Sequence, residues 1–109
     1  MTWRIRERSA FRRLSAEGRR ARAGALWCTF VLDPTLTPPR VAFAFGRALG
    51  PAVVRNRLRR RLRHLLTASS LPPGLYLFGA RSGDGSRLSS ELEFDLRSLL
   101  ERISIRAAS

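Results

Sequence analysis

The segment from Arg55 to Arg63 is the feature of this chain that most restricts its fold. Six of its nine residues are arginine, in the order R-N-R-L-R-R-R-L-R, and the two leucines are Leu58 and Leu62. A spacing of four is one helical turn, so the leucines lie on one face and the guanidinium groups occupy the others. A disordered basic tail needs no such apolar positions. The pattern predicts a folded helix that presents dense positive charge to a polyanion.

The net charge of the chain also indicates an acidic partner. Its 109 residues carry 21 arginines and no lysine against 8 acidic residues, a formal net charge of +13. A folded domain tolerates such self-repulsion when a polyanion offsets it, so nucleic acid is the first expectation and an anionic membrane the second. The lack of lysine is weak evidence, because a GC-rich genome replaces lysine codons throughout. The length predicts a single domain over residues 1–109.

The acidic residues are segregated from the arginine helix. None occurs between Pro34 and Gly83, an interval that contains the whole helix. Helices on a solvated surface normally mix both signs of charge, and this one carries no acid. The preceding loop, G-R-A-L-G-P, leads into the helix N-terminus, where free N–H groups favour a phosphate. We therefore expect one electropositive, phosphate-binding face.

The sequence offers no convincing active site. Cys28 and His64 are the only cysteine and histidine, which excludes an internal disulfide and a Cys/His zinc cluster. His64 has no acid near it in sequence to orient it, and the scattered carboxylates do not resemble a two-metal centre. We expect no catalytic residue, no protein-held metal and no small-molecule substrate. The lone cysteine and the lack of a long apolar run fit a soluble cytoplasmic protein.

Periodicity predicts the element order α-β-β-(β)-α-β-α, in which a third strand before the second helix is optional. Arg19–Ala23 is a short, ambiguous segment compatible with an edge strand. The other predicted strands are Ala25–Leu32, Arg40–Phe45 and Leu75–Ala80. The predicted helices run from Ser9 to Gly18, from Pro51 to about Leu66 (the arginine helix), and onward from a capping box at Ser90. A loop is predicted at Arg81–Arg87. We expect an α+β fold, a two-layer α/β sandwich in which three helices pack on a small mixed sheet of about four strands.

Aromatic residues are interleaved with the positive charge. Phe11, with Phe43 or Phe45, could line a groove on which unpaired bases stack. For each one singly, an ordinary core position is the better interpretation. Trp27, with Phe30 and Phe78, is assigned to the core.

The stretch from Gly46 to Arg63, G-R-A-L-G-P-A-V-V-R-N-R-L-R-R-R-L-R, resembles the signature of the protein subunit of bacterial ribonuclease P. That signature is a basic loop, a glycine, A-V-x-R-N-R, and then basic residues along one helix. Phe11 followed by Gly18, the strand pair before the signature, and Ala80–Arg81 support the resemblance. It implies a left-handed βαβ crossover around the arginine helix, where pattern alone predicts a right-handed one.

The resemblance also implies a function. The protein would be the non-catalytic subunit of a cytoplasmic ribonucleoprotein whose catalytic RNA removes the 5′ leader of precursor tRNA, using Mg²⁺ held mainly by the RNA and substrate. The implied RNA-binding residues are Arg47, Arg55, Asn56, Arg57, Arg59, Arg60 and Arg63. The implied leader cleft is lined by Phe11, Thr29 and Phe43.

Three positions depart from the family pattern. Ala48 follows Arg47 where a second basic residue is usual, a second aromatic is missing near Leu14 and Ser15, and Arg61 occupies a position that is often apolar.

Two other classes of protein compete with this interpretation. A small ribosomal protein that neutralises rRNA fits the charge equally well but does not require the signature. A membrane-surface protein would need the leucine stripe of the helix to remain free.

Overall fold

The computed structural model describes the backbone of residues 2–81 and 85–108, and the side chains of residues 2–81 and 90–108. Three α-helices and five strands make up this part of the chain. In chain order they are β1 (Trp3–Arg4), α1 (Arg8–Glu17), β2 (Arg19–Ala23), β3 (Leu26–Leu32), β4 (Arg40–Ala44), a 3-10 turn (Arg47–Leu49), α2 (Ala52–Thr67), β5 (Gly74–Ala80) and α3 (Gly85–Ala108).

The strands form one mixed sheet in the order β1-β4-β5-β3-β2. The neighbours β1, β4 and β5 are parallel, whereas β3 is antiparallel to both β5 and β2. The α+β class and the mixed sheet are confirmed, and Arg19–Ala23 is the edge strand β2. A fifth strand was not predicted, because the two residues of β1 are too few to show alternation. The β4–α2–β5 unit is the expected crossover, and its left-handed sense stays a prediction.

Apolar residues cover both faces of the sheet, so the helix layer is divided. On one face α2 and α3 pack against Phe30, Tyr76 and Phe78. The predicted leucine face of α2 is confirmed, because Leu58 and Leu62 are buried. Leu66 is buried on the same face, and Val54 and Leu65 are partly buried there. On the other face α1 packs Ala10 and Leu14 against Val31 and Leu75, together with Ile5. Because side chains alternate along a strand, neighbouring residues of β3 point to opposite faces of the sheet.

Two predicted helix starts were wrong. Helix α1 begins at Arg8, with Glu7 rather than Ser9 in the capping position, because the Ala10 N–H already bonds to the Glu7 carbonyl. Helix α3 begins at Gly85, five residues before the proposed capping box at Ser90, since no proline interrupts the backbone between them. Residues 82–84 of the predicted loop lie outside the described residues.

Asp95 of α3 fixes the hairpin between β2 and β3. Its side chain is only 3% exposed, and its carboxylate accepts a hydrogen bond from the Ala25 N–H at 3.3 Å. Ala25 in turn accepts a bond from the Arg81 N–H at 2.9 Å. Gly24 has φ +58° while Ala25 does not have a positive φ, as in a type II′ turn with glycine in its first position. Asp95 is thus a buried tertiary contact rather than a solvated charge on the helix surface.

Asp33, at the end of β3, accounts for a predicted loss of stability in acid. Hydrogen bonds from the Thr35 hydroxyl at 2.7 Å, Arg13 at 2.6 Å and the Thr35 N–H at 2.9 Å lower the pKa of Asp33 to about 2. An unfolded aspartate has a pKa of about 3.9. The carboxylate therefore stabilises the fold fully above pH about 4, and this contribution is lost as pH falls through about 2.

We expect the urea midpoint of Asp33→Asn to fall less between pH 5 and pH 2 than that of the wild type. Glu93→Gln, which removes an exposed carboxylate 3.7 Å from Arg97, is the control and should keep the wild-type pH dependence. Equal acid sensitivity of Asp33→Asn and the wild type would contradict this account.

Candidate nucleic-acid interface

Helix α2 is positioned by the turn that precedes it. Leu49 of the 3-10 turn is buried, Gly50 has φ +140°, and Pro51 occupies the N-cap position. Proline is well tolerated at a helix start because the N–H it lacks would have no helical partner. Because the leucine stripe of α2 faces the core, every arginine of this helix lies either at the border of that stripe or in solvent.

Three arginines form a row along the border of α2 that faces the β4 edge. We call Arg55, Arg59 and Arg63 the arginine row; all three are half-buried. Arg55 donates from Nε to the Gly50 carbonyl at 3.2 Å, and Arg59 donates to the Phe45 carbonyl at 3.2 Å. The Arg63 guanidinium lies 5.3 Å from the centre of the Phe43 ring. Since a guanidinium has five N–H donors, each keeps donors for phosphate oxygens.

The other predicted RNA-binding residues are exposed. Asn56, Arg57 and Arg60 lie on the solvent side of α2, and Arg47 lies in the turn before it. Asn56 also accepts a bond from Arg59 at 2.9 Å through its Oδ1. Within residues 2–81 and 90–108, the salt bridges do not involve the arginine row, Arg47, Arg57 or Arg60. The structure thus brings the predicted basic residues together on one helix and its preceding turn.

The three residues predicted for the leader cleft do not share a face. Phe11 on α1 is 41% exposed, and Thr29 lies on the α1 face of the sheet, where a Cβ on Gly18 would come within 2.4 Å of its Cγ2. Phe43 lies on the opposite face, stacked on Phe45 with centroids 5.9 Å apart. The prediction that Phe43 lines one cleft with Phe11 was wrong, because β4 alternates Val41 and Phe43 toward α2 with Ala42 toward α1.

Trp27, which had been assigned to the core, occupies the open part of the α1 face. Gly79 lies directly beneath its indole: a Cβ there would come within 2.1 Å of the ring. The Arg20 guanidinium covers it at 4.4 Å from the ring centre. Trp27, Thr29, Ala42 and Leu77 are partly exposed on this side, and we call them the α1-face surface. The alternation of β3 could have revealed it, because Trp27 and Thr29 have the opposite parity to Cys28 and Phe30.

Other chemistry is not supported by the described residues. Within them, no three His, Cys, Asp or Glu side chains come together as a metal-binding group. Cys28 is buried, and that burial raises the pKa of its thiol, which suits packing rather than nucleophilic attack. In the same part of the chain, no helix is both long and apolar enough to cross a membrane.

The family model of Ribonuclease P matches residues 1–104 of the chain. The chain belongs to the ribonuclease P protein family. The ribonuclease P protein component of Streptomyces bikiniensis is 37% identical, over 92% of this chain and 90% of that protein. That of Streptomyces griseus is 41% identical over 67% of this chain and 62% of the relative.

The fold agrees with solved ribonuclease P proteins. The structure of the RNase P protein from Thermotoga maritima superposes with a TM-score of 0.78 at 20% identity, covering 92% of this chain and 96% of that one. Three helices on a five-stranded mixed sheet are thus the ribonuclease P protein fold. This chain is a protein subunit of ribonuclease P, an enzyme of tRNA processing, and its partner in the ribonucleoprotein is an RNA.

Proposed function

We propose that this ribonuclease P protein binds the catalytic RNA and the 5′ leader of precursor tRNA in the cytoplasm, and so assists the Mg²⁺-dependent removal of the leader. The observation that carries the proposal is the arginine row. Its guanidinium groups are oriented by backbone carbonyls and a ring, and they make no ion pair with a described acid. Fixed guanidinium groups of this kind suit the charge and the oxygen geometry of phosphate groups.

The basic face accounts for the assistance in electrostatic terms. Catalytic RNA and precursor tRNA are both polyanions, so their association is opposed by phosphate repulsion unless cations screen it. Arginines of α2 between the two RNAs would supply that screening and lower the concentration of Mg²⁺ required. The described carboxylates do not gather into a metal site, so no step of the proposal uses a metal held by the protein.

The α1-face surface is the part of the molecule best suited to the leader. Single-stranded nucleotides bind to aromatic and apolar platforms bordered by positive charge. Trp27 supplies the aromatic ring and Arg20 the charge, with Thr29 and Leu77 beside them on neighbouring strands. Phe11 stands exposed on α1 at the border of this face. The leader cleft proposed here keeps Phe11 and Thr29, and it has Trp27 in place of Phe43.

The test is cleavage of a precursor tRNA by a bacterial ribonuclease P RNA at low Mg²⁺, with and without the protein. We expect the protein to restore cleavage and to tighten binding of leader-bearing tRNA more than that of mature tRNA. Tight RNA binding without restored cleavage by a cognate RNA would overturn the proposal and leave a structural RNA-binding protein. Restored cleavage with equal effects on both tRNAs would refute the leader-binding part alone.

A further inference from the structure

A concave site lies at the β1 edge of the sheet. Strand β1 pairs in parallel with β4, with Trp3 opposite Arg40, and the Trp3 N–H bonds to the Pro39 carbonyl at 2.8 Å. A cavity of about 470 Å³ opens there, within the range of small-ligand sites. It is lined by Thr2, Trp3, Arg4, Arg6, Glu7 and Arg40.

The lining combines an exposed indole with unpaired positive charge. Trp3 is 51% exposed, although tryptophan is usually buried for most of its surface. Glu7 pairs with Arg40 at 3.3 Å, so the one acid of the lining is already neutralised. Arg4 and Arg6 are exposed and make no ion pair with any residue whose side chain the structure describes. The site therefore offers a flat apolar surface beside two available guanidinium groups.

This cavity continues into the arginine row. Arg4 also lines a second cavity of about 310 Å³, together with Phe43, Arg59 and Arg63. One arginine thus belongs to both concavities, and Glu7 is the single acid among the residues that line them. Within the α1-face surface, Trp27 and Thr29 lie on β3 and Leu77 lies on β5, so only Ala42, on β4, is next to the β1 edge.

We infer that the β1-edge cavity binds an unpaired nucleotide of the catalytic RNA, its base stacked on Trp3 and its phosphates on Arg4 and Arg6. A base inside a duplex is already stacked on its neighbours, so the occupant is single-stranded. The catalytic RNA is the source because the cavity is continuous, through Arg4, with the arginine row. This inference rests on the proposed function and extends its RNA interface beyond α2.

The test measures the Kd of the full chain for ribonuclease P RNA. Trp3→Ala should weaken binding about tenfold, the effect of losing one base–aromatic stack, whereas Trp3→Phe should stay within about threefold of the wild type. Phe94→Ala is the matched control, because Phe94 is an exposed aromatic residue on α3, 72% exposed. Arg4→Ala/Arg6→Ala should reduce the slope of log affinity against log salt by about 1.4. Thermal melts establish that each variant is folded.

Two outcomes would overturn the inference. Unchanged affinity of folded Trp3→Ala for ribonuclease P RNA would show that the indole stacks on no base of that RNA. If Trp3→Ala keeps its affinity for ribonuclease P RNA but no longer prefers leader-bearing to leaderless tRNA, the stacked nucleotide belongs to the substrate and not to the catalytic RNA. An Arg59→Ala/Arg63→Ala variant separates the two proposals: if it loses RNA affinity while Trp3→Ala does not, this inference fails and the proposed function stands. If both variants bind like the wild type, the proposed function fails as well.

Discussion

Arg55→Ala/Arg59→Ala/Arg63→Ala should lower the affinity of the protein for ribonuclease P RNA at least about a hundredfold and abolish restored cleavage at low Mg²⁺. A charge-assisted hydrogen bond contributes about 1.5–3 kcal/mol, and three are removed. The salt dependence should change too: if each arginine meets one phosphate, the log–log slope becomes shallower by about 2 to 3. Filter binding across a salt series and single-turnover cleavage measure both effects.

The matched control removes the same charge elsewhere. Arg8 and Arg12 are exposed on α1, and Arg97 is exposed on α3. Arg8→Ala/Arg12→Ala/Arg97→Ala lowers the net charge by the same three units, so it should show only a small loss of affinity. Replacing the arginine row by lysines keeps the charge but removes the planar fork, and it should give an intermediate affinity. Equal losses in both alanine triples would show that total charge, and not the row, determines binding.

Gly24→Ala should destabilise the protein by about 2–5 kcal/mol, which corresponds to a fall in Tm of roughly 10–25 °C. At φ +58° an alanine costs about 1–2 kcal/mol of backbone strain. Its Cβ would also lie 2.2 Å from Asp95 Oδ1, so the carboxylate must move. The Ala25 N–H would then lose its partner, which costs about 1–3 kcal/mol more. Thermal or urea unfolding followed by circular dichroism measures the change.

Gly46→Ala is the control for this substitution. Gly46 has φ −83°, and a Cβ added there would have no heavy atom within 4 Å. Alanine at such a position restricts the unfolded chain without strain, so its effect should lie between zero and about 1 kcal/mol of stabilisation. A Gly24→Ala variant as stable as Gly46→Ala would show that neither the turn nor Asp95 holds the hairpin.

Much of this fold could be predicted from local pattern. The leucine spacing of α2 identified its buried stripe, because the spacing of residues within a helix determines, without any tertiary contact, which of them share a face. The strands β3 and β5 were found to within one residue for the same reason. In contrast, β1 has two residues and is defined only by its pairing with β4, and the burial of Asp95 depends on a turn 70 residues away.

The positions of the candidate site residues could be predicted on α2 but not on the sheet. The basic residues of α2 lie together because they belong to one helix. The cleft residues come from different elements, so their grouping depends on which face of the sheet each side chain occupies. Phe43 was misplaced and Trp27 overlooked for this reason, since large aromatics on either face give the same hydrophobic signal. Only the pairing register of β3, β4 and β5 shows on which face of the sheet each aromatic side chain lies.

The contacts of Arg55 and Arg59 with the carbonyls of Gly50 and Phe45 have a consequence for how fast and how tightly RNA can bind. A free arginine side chain loses up to about 2 kcal/mol of rotamer entropy when it is immobilised. Here much of that ordering occurs when the domain folds, because the guanidinium groups already bond to fixed backbone atoms. If these arginines bind phosphates as proposed, less entropy is lost on association, and the helix acts as a rigid template rather than as a flexible polycation.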